Sequence, residues 1–231
     1  MGIAETAEEL RAIALASDDA SGYFPALYAR VTSRVAAAGF AEDLAVVFAS
    51  YYTRAFHRQI ERPRCWQATW DVAGDRRLLI VQHLLLGINA HVNHDLPLAV
   101  VDVARRRGGL APLRPEFDAV NDVLADTYHE VLRDLDGVAR WTSEAATLGG
   151  GRLFNFSLRV ARAQAWDAAV RLFPLDDRGA AAYRAELDQL VSVLAYLVTR
   201  PALPARLVVT VLRRFEQREP RRVTQALLGG S

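Results

Sequence analysis

The chain has 231 residues, 52% of them hydrophobic and 24% charged, which excludes a disordered polymer and gives material for a substantial core. Its 28 basic and 27 acidic side chains leave a formal net charge of +1, so no whole-molecule field gathers nucleic acid or an anionic membrane. Every basic residue is Arg and none is Lys, which removes a lysine Schiff base, a pyridoxal-phosphate anchor and a phosphate-loop lysine.

In chain order, apolar residues recur at helical spacing and predict helices over about 4–16, 22–38, 41–61, 76–106, 115–135, 137–147, 152–173, 179–199 and 203–217. No strand-like alternation of useful length interrupts them. The opening MGIAETAEEL lacks a basic segment followed by a long apolar one, so a signal peptide is not expected. Between helices fall Asp18-Asp19-Ala-Ser-Gly22, Gly74-Asp75, Gly108-Gly109, Gly149-Gly150-Gly151, Pro174 and Pro201. The stretch after Arg213, rich in Arg, Glu and Pro, reads as a helix end followed by a frayed tail from about 218 to 231. The expected fold is all-α: a single-domain multi-helix bundle over 1–231 around a buried, Pro-kinked central helix. The single Cys65 cannot form an internal disulfide and fits a reducing compartment. With no apolar run long enough to span a bilayer, the expectation is a cytoplasmic protein.

The central helix, 76–106, is apolar on nearly every side, as a helix in the middle of a bundle is. Its polar residues therefore carry the information. At about 100° per residue, His83, Gly87, His91, His94 and Asp95 share one arc, while Asn89 and Asn93 lie together on another flank. His83 is about 12 Å along the axis from His91, too far to share a metal ion with it. His91 and Asp95 form an i,i+4 pair and His91 and His94 an i,i+3 pair, the spacings at which helical side chains meet. Gly87 makes room for a neighbouring helix or a ligand, and Pro97 cannot donate to the Asn93 carbonyl and should kink the helix beside the pair.

The run Gln82-His83-Leu-Leu-Leu-Gly87-Ile-Asn89-Ala-His91-Val-Asn93-His94-Asp95-Leu96-Pro97, preceded by Arg62-Pro63 and Trp66, resembles an uncharacterised family of all-helical actinobacterial proteins of about this length. The resemblance implies an all-α fold and brings no activity or cofactor with it. The Lys-free, Ala- and Arg-rich composition points to a GC-rich genome.

These residues set out three functional expectations. The first is an enzyme acting on a small, largely apolar molecule, with His91 as general base or metal ligand, Asp95 orienting it, and His94 beside them. Asn89, Asn93 and His83 would position the substrate, joined by Arg162 and Trp166, an Arg and an aromatic on one helix that together suit an anionic group. The second is metal-dependent hydrolysis, with iron, zinc or manganese held by His91 and Asp95. Further ligands for it would come from His57, Asp122, Asp126 or His129. The order His57, His94-Asp95, then Asp122 or Asp126 is similar to that of the metal-dependent His-Asp phosphohydrolases. The third is a non-catalytic helical ligand-binding or interaction module whose polar cluster fixes packing. The expected partner is a small molecule, without nucleic acid or membrane. A homodimer is open through the apolar face of 179–199, which carries Leu187, Leu190, Val191, Leu194 and Val198.

Overall fold

A computed structural model describes residues 2–139, 151–217 and 219–229. The side chains of Tyr128, His129, Pro204 and Ala205 and those of residues 151–156 are outside this description, as is most of the helix expected at 137–147. The protein is an all-α assembly of α1 (Ile3–Ala16), α2 (Tyr23–Ala38), α3 (Glu42–Phe56), α4 (Arg64–Asp71), α5 (Ile80–Ala90) and α6 (Leu96–Arg106), followed by α7 (Arg114–Leu135), α8 (Gly151–Leu172), α9 (Asp177–Thr199), α10 (Leu203–Leu212) and α11 (Pro220–Leu227). No strand occurs among the described residues, and none of their helices is long and apolar enough to cross a membrane.

Local chemistry sets the boundaries. Gly39 closes α2 in the left-handed conformation, φ 70°, where a residue without Cβ pays no steric penalty. Helix α3 ends at Phe56, five residues before the expected end, because the Arg62 guanidinium takes its last carbonyls: Nε donates to Ala55 O and Nη2 to Phe56 O. Those carbonyls lack the donor four residues on that a continuing helix supplies; Ala55 O also accepts from Arg58 N at 3.2 Å, where the chain turns away with φ 56°, and Pro63 precedes the next helix. Helix α4 carries few apolar residues and was not anticipated. Its first amides, of Arg64 and Cys65, both donate to the Asp188 carboxylate of α9 at 2.9 Å, a cap supplied from across the fold.

The central segment packs against α2, α3, α4, α8 and α9. It begins at Ile80 rather than 76, where Gln82 Oε1 accepts from Leu79 N and the Glu216 carboxylate from Ile80 N. Its irregularity is a π-helical turn at His91–Asp95, in which the Leu96 amide donates to the His91 carbonyl five residues back. Such widened turns absorb one extra residue in a helix. Pro97 follows as the second residue of α6, a position where its missing N–H costs little. Gly87 makes room for α2: a Cβ there would lie 2.5 Å from Phe24 Cγ.

Residues 220–227 form α11 rather than a frayed tail. Val223 and Leu227, one helical turn apart, are fully buried and join Tyr23 and Ala26 of α2 and Val131 and Leu135 of α7 in one core cluster. A second cluster is built on Leu96 to Val103 with Phe117 and Trp166, a third on Phe24, Tyr28, Tyr52 and Trp66.

Candidate functional site

Asp95 is 1% exposed and accepts three hydrogen bonds. The Trp66 indole Nε1 donates to Oδ2 at 2.9 Å, His91 Nδ1 reaches the same oxygen at 3.2 Å, and His94 Nδ1 reaches Oδ1 at 2.8 Å. Burial by itself would raise the carboxyl pKa, but the His91 and His94 hydrogen bonds outweigh it and hold the group below its ordinary value. Asp95 is therefore a carboxylate, an acceptor only, and Nδ1 of each neighbouring imidazole carries the proton.

That assignment fixes His91. Burial lowers its pKa, against the opposing pull of Asp95, so the ring is neutral, with Nδ1–H on Asp95 and a lone pair on Nε2. The ring is 3% exposed. It stacks on Phe48 at 3.5 Å between centroids and 8° between planes, with Tyr28 edge-on at 4.2 Å and Phe24 at 5.2 Å. Nε2 is buried and has no hydrogen-bond partner among the described residues. A buried acceptor left open costs free energy, and here it belongs to a ring in the wall of a cavity.

The cavity has a volume of about 300 Å³ and a predominantly apolar wall drawn from α2, α3, α5, α6, α7 and α8. It lies where the three core clusters meet: Leu96 comes from one, Tyr28 from another, Leu84 and Leu135 from the third. Besides His91, its polar wall residues include Thr32, Thr127, Glu216 and Arg162.

The other anticipated residues are distributed as follows. His94 is buried beside Asp95 and also beside Cys65 and Asp188, whose ligand atoms and its own all lie within 4.8 Å of one another. The Cys65 thiol is pushed up first by burial, then by the Asp95 and Asp188 charges. Asn89 donates to the Val191 carbonyl and Asn93 to Asn89 Oδ1, both at 2.9 Å, so this pair ties α5 to α9. His83 is buried edge-on to Tyr23 and lies outside the cavity wall. Trp166 packs on Phe117 and under the Arg114 guanidinium in the core, also away from the wall. His57 is 41% exposed, 3.4 Å from Glu9. Asp122 is 83% exposed and pairs with Arg159, and Asp126 is exposed. Neither carboxylate approaches His91, because both face solvent on α7, and His57 lies exposed at the end of α3. The His129 side chain lies outside the described residues.

Trp66, Tyr28, Phe48 and Asp188 were not singled out as site residues. Each comes from a helix distant in sequence, and one chain carries no signal of those pairings.

The sequence model of a family of unknown function, DUF5995, matches residues 3–201. No curated protein and no solved structure matches the chain.

Proposed function

The chain belongs to DUF5995, a family of unknown function, and from that premise we propose that it binds a small, largely apolar molecule in the central cavity and acts on it through His91. The observation that carries this is the open Nε2 of His91, buried in the cavity wall. Asp95 and Trp66 hold the imidazole in the tautomer whose lone pair is free, so Nε2 accepts a hydrogen bond from the ligand and, in turnover, its proton. His94 supports the carboxylate from its other side. An apolar wall with few polar groups is the ordinary composition of a small-molecule site.

The test uses two probes of one shape, para-pentylphenol and pentylbenzene, against the full-length protein. The phenol should bind roughly fivefold more tightly, since one neutral hydrogen bond contributes about 1 kcal/mol. That preference should vanish in His91→Phe, which also loses a donor to the buried Asp95 and should melt lower, while pentylbenzene binding persists. Equal affinities for the native protein would refute the assignment.

A second reading is favoured by the Cys65, His94 and Asp188 cluster, which could hold a divalent metal. Asp95 on His94 Nδ1 is the outer-shell carboxylate that ligating histidines commonly have, and a thiolate among the donors favours zinc over manganese. It moves the metal from His91 and Asp95 to the neighbouring face of the π turn. Near-stoichiometric zinc or iron in the purified protein, lost in Cys65→Ser, is the expected result. Its absence after reconstitution would leave Asp188 as the cap of α4 alone.

The same proposal takes in the cytoplasm as compartment, supported by the free, buried Cys65, and an actinobacterial origin, supported by the Lys-free composition. It also takes in a homodimer through the outer face of α9 and α10, where Leu190, Leu197, Leu203, Leu207 and Val211 are exposed.

A further inference from the structure

Arg162 is 4% exposed, and no carboxylate among the described residues forms an ion pair with it. Its Nε donates to Asn121 Oδ1 at 2.8 Å and its Nη2 to the Phe117 carbonyl, while the guanidinium lies 4.3 Å over the Phe117 ring. All three partners are neutral. Asp118 of α7 acts on Arg162 through its charge, but it is half-exposed and bonded to Arg114 at 2.6 Å. Burial lowers the Arg162 pKa only to about 10, so the side chain is a cation at neutral pH. Buried charges are normally paired. Two of the five guanidinium N–H groups are engaged, which leaves three for an incoming oxygen pair.

The rest of the wall describes what that oxygen pair is attached to. Ile80, Leu84, Ile88, Val92 and Leu96 follow the cavity along the central helix, a span of about 24 Å at 1.5 Å per residue. Arg162 belongs to the Leu96 end, since its partner Phe117 shares a core cluster with Leu96 and Leu158. Glu216 belongs to the opposite end, where its carboxylate accepts from the Ile80 amide. The cavity is thus long and apolar along its sides, with Arg162 in its wall at the Leu96 end. An anionic head is therefore received at that end. A volume of about 300 Å³ equals that of about ten water molecules in the liquid, the scale of a medium-length acyl chain.

We propose that the cavity receives an aliphatic monocarboxylate, a medium-chain fatty acid, with its carboxylate on Arg162 and its chain running past His91 towards Ile80. This goes beyond the reading above: it shares the cavity, but a saturated chain offers no donor to His91 Nε2. The two readings fail separately, because one depends on a donor at His91 and the other on a charge at Arg162.

The experiment is calorimetry on delipidated full-length protein at neutral pH with decanoate, decan-1-ol and methyl decanoate. Decanoate should bind about tenfold or more tightly than either neutral analogue, the size expected for hydrogen bonds to a charged group. In Arg162→Gln the ratio should fall towards one, and in Arg162→Lys part of it should return. Since Arg162 also ties α7 to α8, the ratio in the native protein decides the matter if the variants do not fold. Decan-1-ol binding as well as decanoate, or a ratio unchanged in Arg162→Gln, would overturn the proposal. So would binding of para-pentylphenol without binding of decanoate, an outcome that leaves the His91 reading standing. Failure of every apolar probe would overturn both.

Discussion

The Trp66 indole and the His91 imidazole donate to one and the same oxygen, Oδ2 of Asp95, at 2.9 and 3.2 Å. Oδ1 takes the third bond from His94. Three donors converge on one buried carboxylate, so its charge, the tautomer of both imidazoles and the position of the His91 lone pair are settled together.

Asp95→Asn should therefore do more than weaken a contact. The amide accepts through one atom only and turns a donor towards one of the three groups that need an acceptor. Leaving a buried donor without its acceptor costs about 1–3 kcal/mol, readable in the urea midpoint. Nitrogen NMR of the imidazoles should show His91 protonated on Nδ1 in the native protein and no longer fixed there in the variant. An unchanged tautomer would mean that Asp95 does not orient the ring.

Gly87→Ala sets two effects against each other. Alanine is the better helix former by about 1 kcal/mol, but its Cβ would meet Phe24 at 2.5 Å. Phe24 cannot step aside easily, since Tyr28, Tyr52, Trp66 and His91 surround its ring. Overpacking should win by about 1–2 kcal/mol. Phe24→Leu placed in the same chain should recover part of the loss, and a melting temperature that rises in Gly87→Ala alone would contradict the packing described.

Acid should destabilise the fold within the imidazole range. His91 and His83 both have pKa values lowered by burial from the ordinary 6.5. Below that value the unfolded chain takes up protons that the folded chain refuses, so stability is full above it and falls with pH towards the lower folded values. Urea midpoints should drop on going from about pH 7 to about pH 5, and His83→Gln should flatten the slope. A midpoint independent of pH over that window would be the contrary result.

How far the chain could be read depends on which residues speak for themselves. Helical periodicity revealed the all-α fold because its signal is local, and the His91–Asp95 pair was visible because i,i+4 neighbours meet whatever surrounds them. Arg62 and Asp188 were silent: each ends or starts a helix from outside it, so neither the end of α3 nor the existence of α4 follows from the residues inside them. Helix α11 was hidden for another reason, as only Val223 and Leu227 mark its buried face among Arg and Gln. Arg162 and Trp166 share a helix and both pack on Phe117, yet only Arg162 lies in the cavity wall. Asp122 and Asp126, which spacing offers as metal ligands, instead meet water, because the same helix buries Phe117 and Val131 on its other side.

Leu227→Ala tests that last helix. The side chain is fully buried against α2 and α7, and truncating such a leucine costs about 2–5 kcal/mol. Loss of less than about 1 kcal/mol would show that residues 220–227 contribute little to the fold.

Three packed groups of side chains meet around a hollow, and a ligand bound there would complete them as a central stone completes an arch. Any molecule that fills the space only when the chain is folded adds its binding energy to the fold, about 2.7 kcal/mol at a hundredfold excess over its Kd. For a protein of ordinary marginal stability that is a sizeable fraction of the total. The surviving quantity of this protein in a cell would then rise and fall with the supply of whatever occupies the space beside His91, making its abundance a record of that supply.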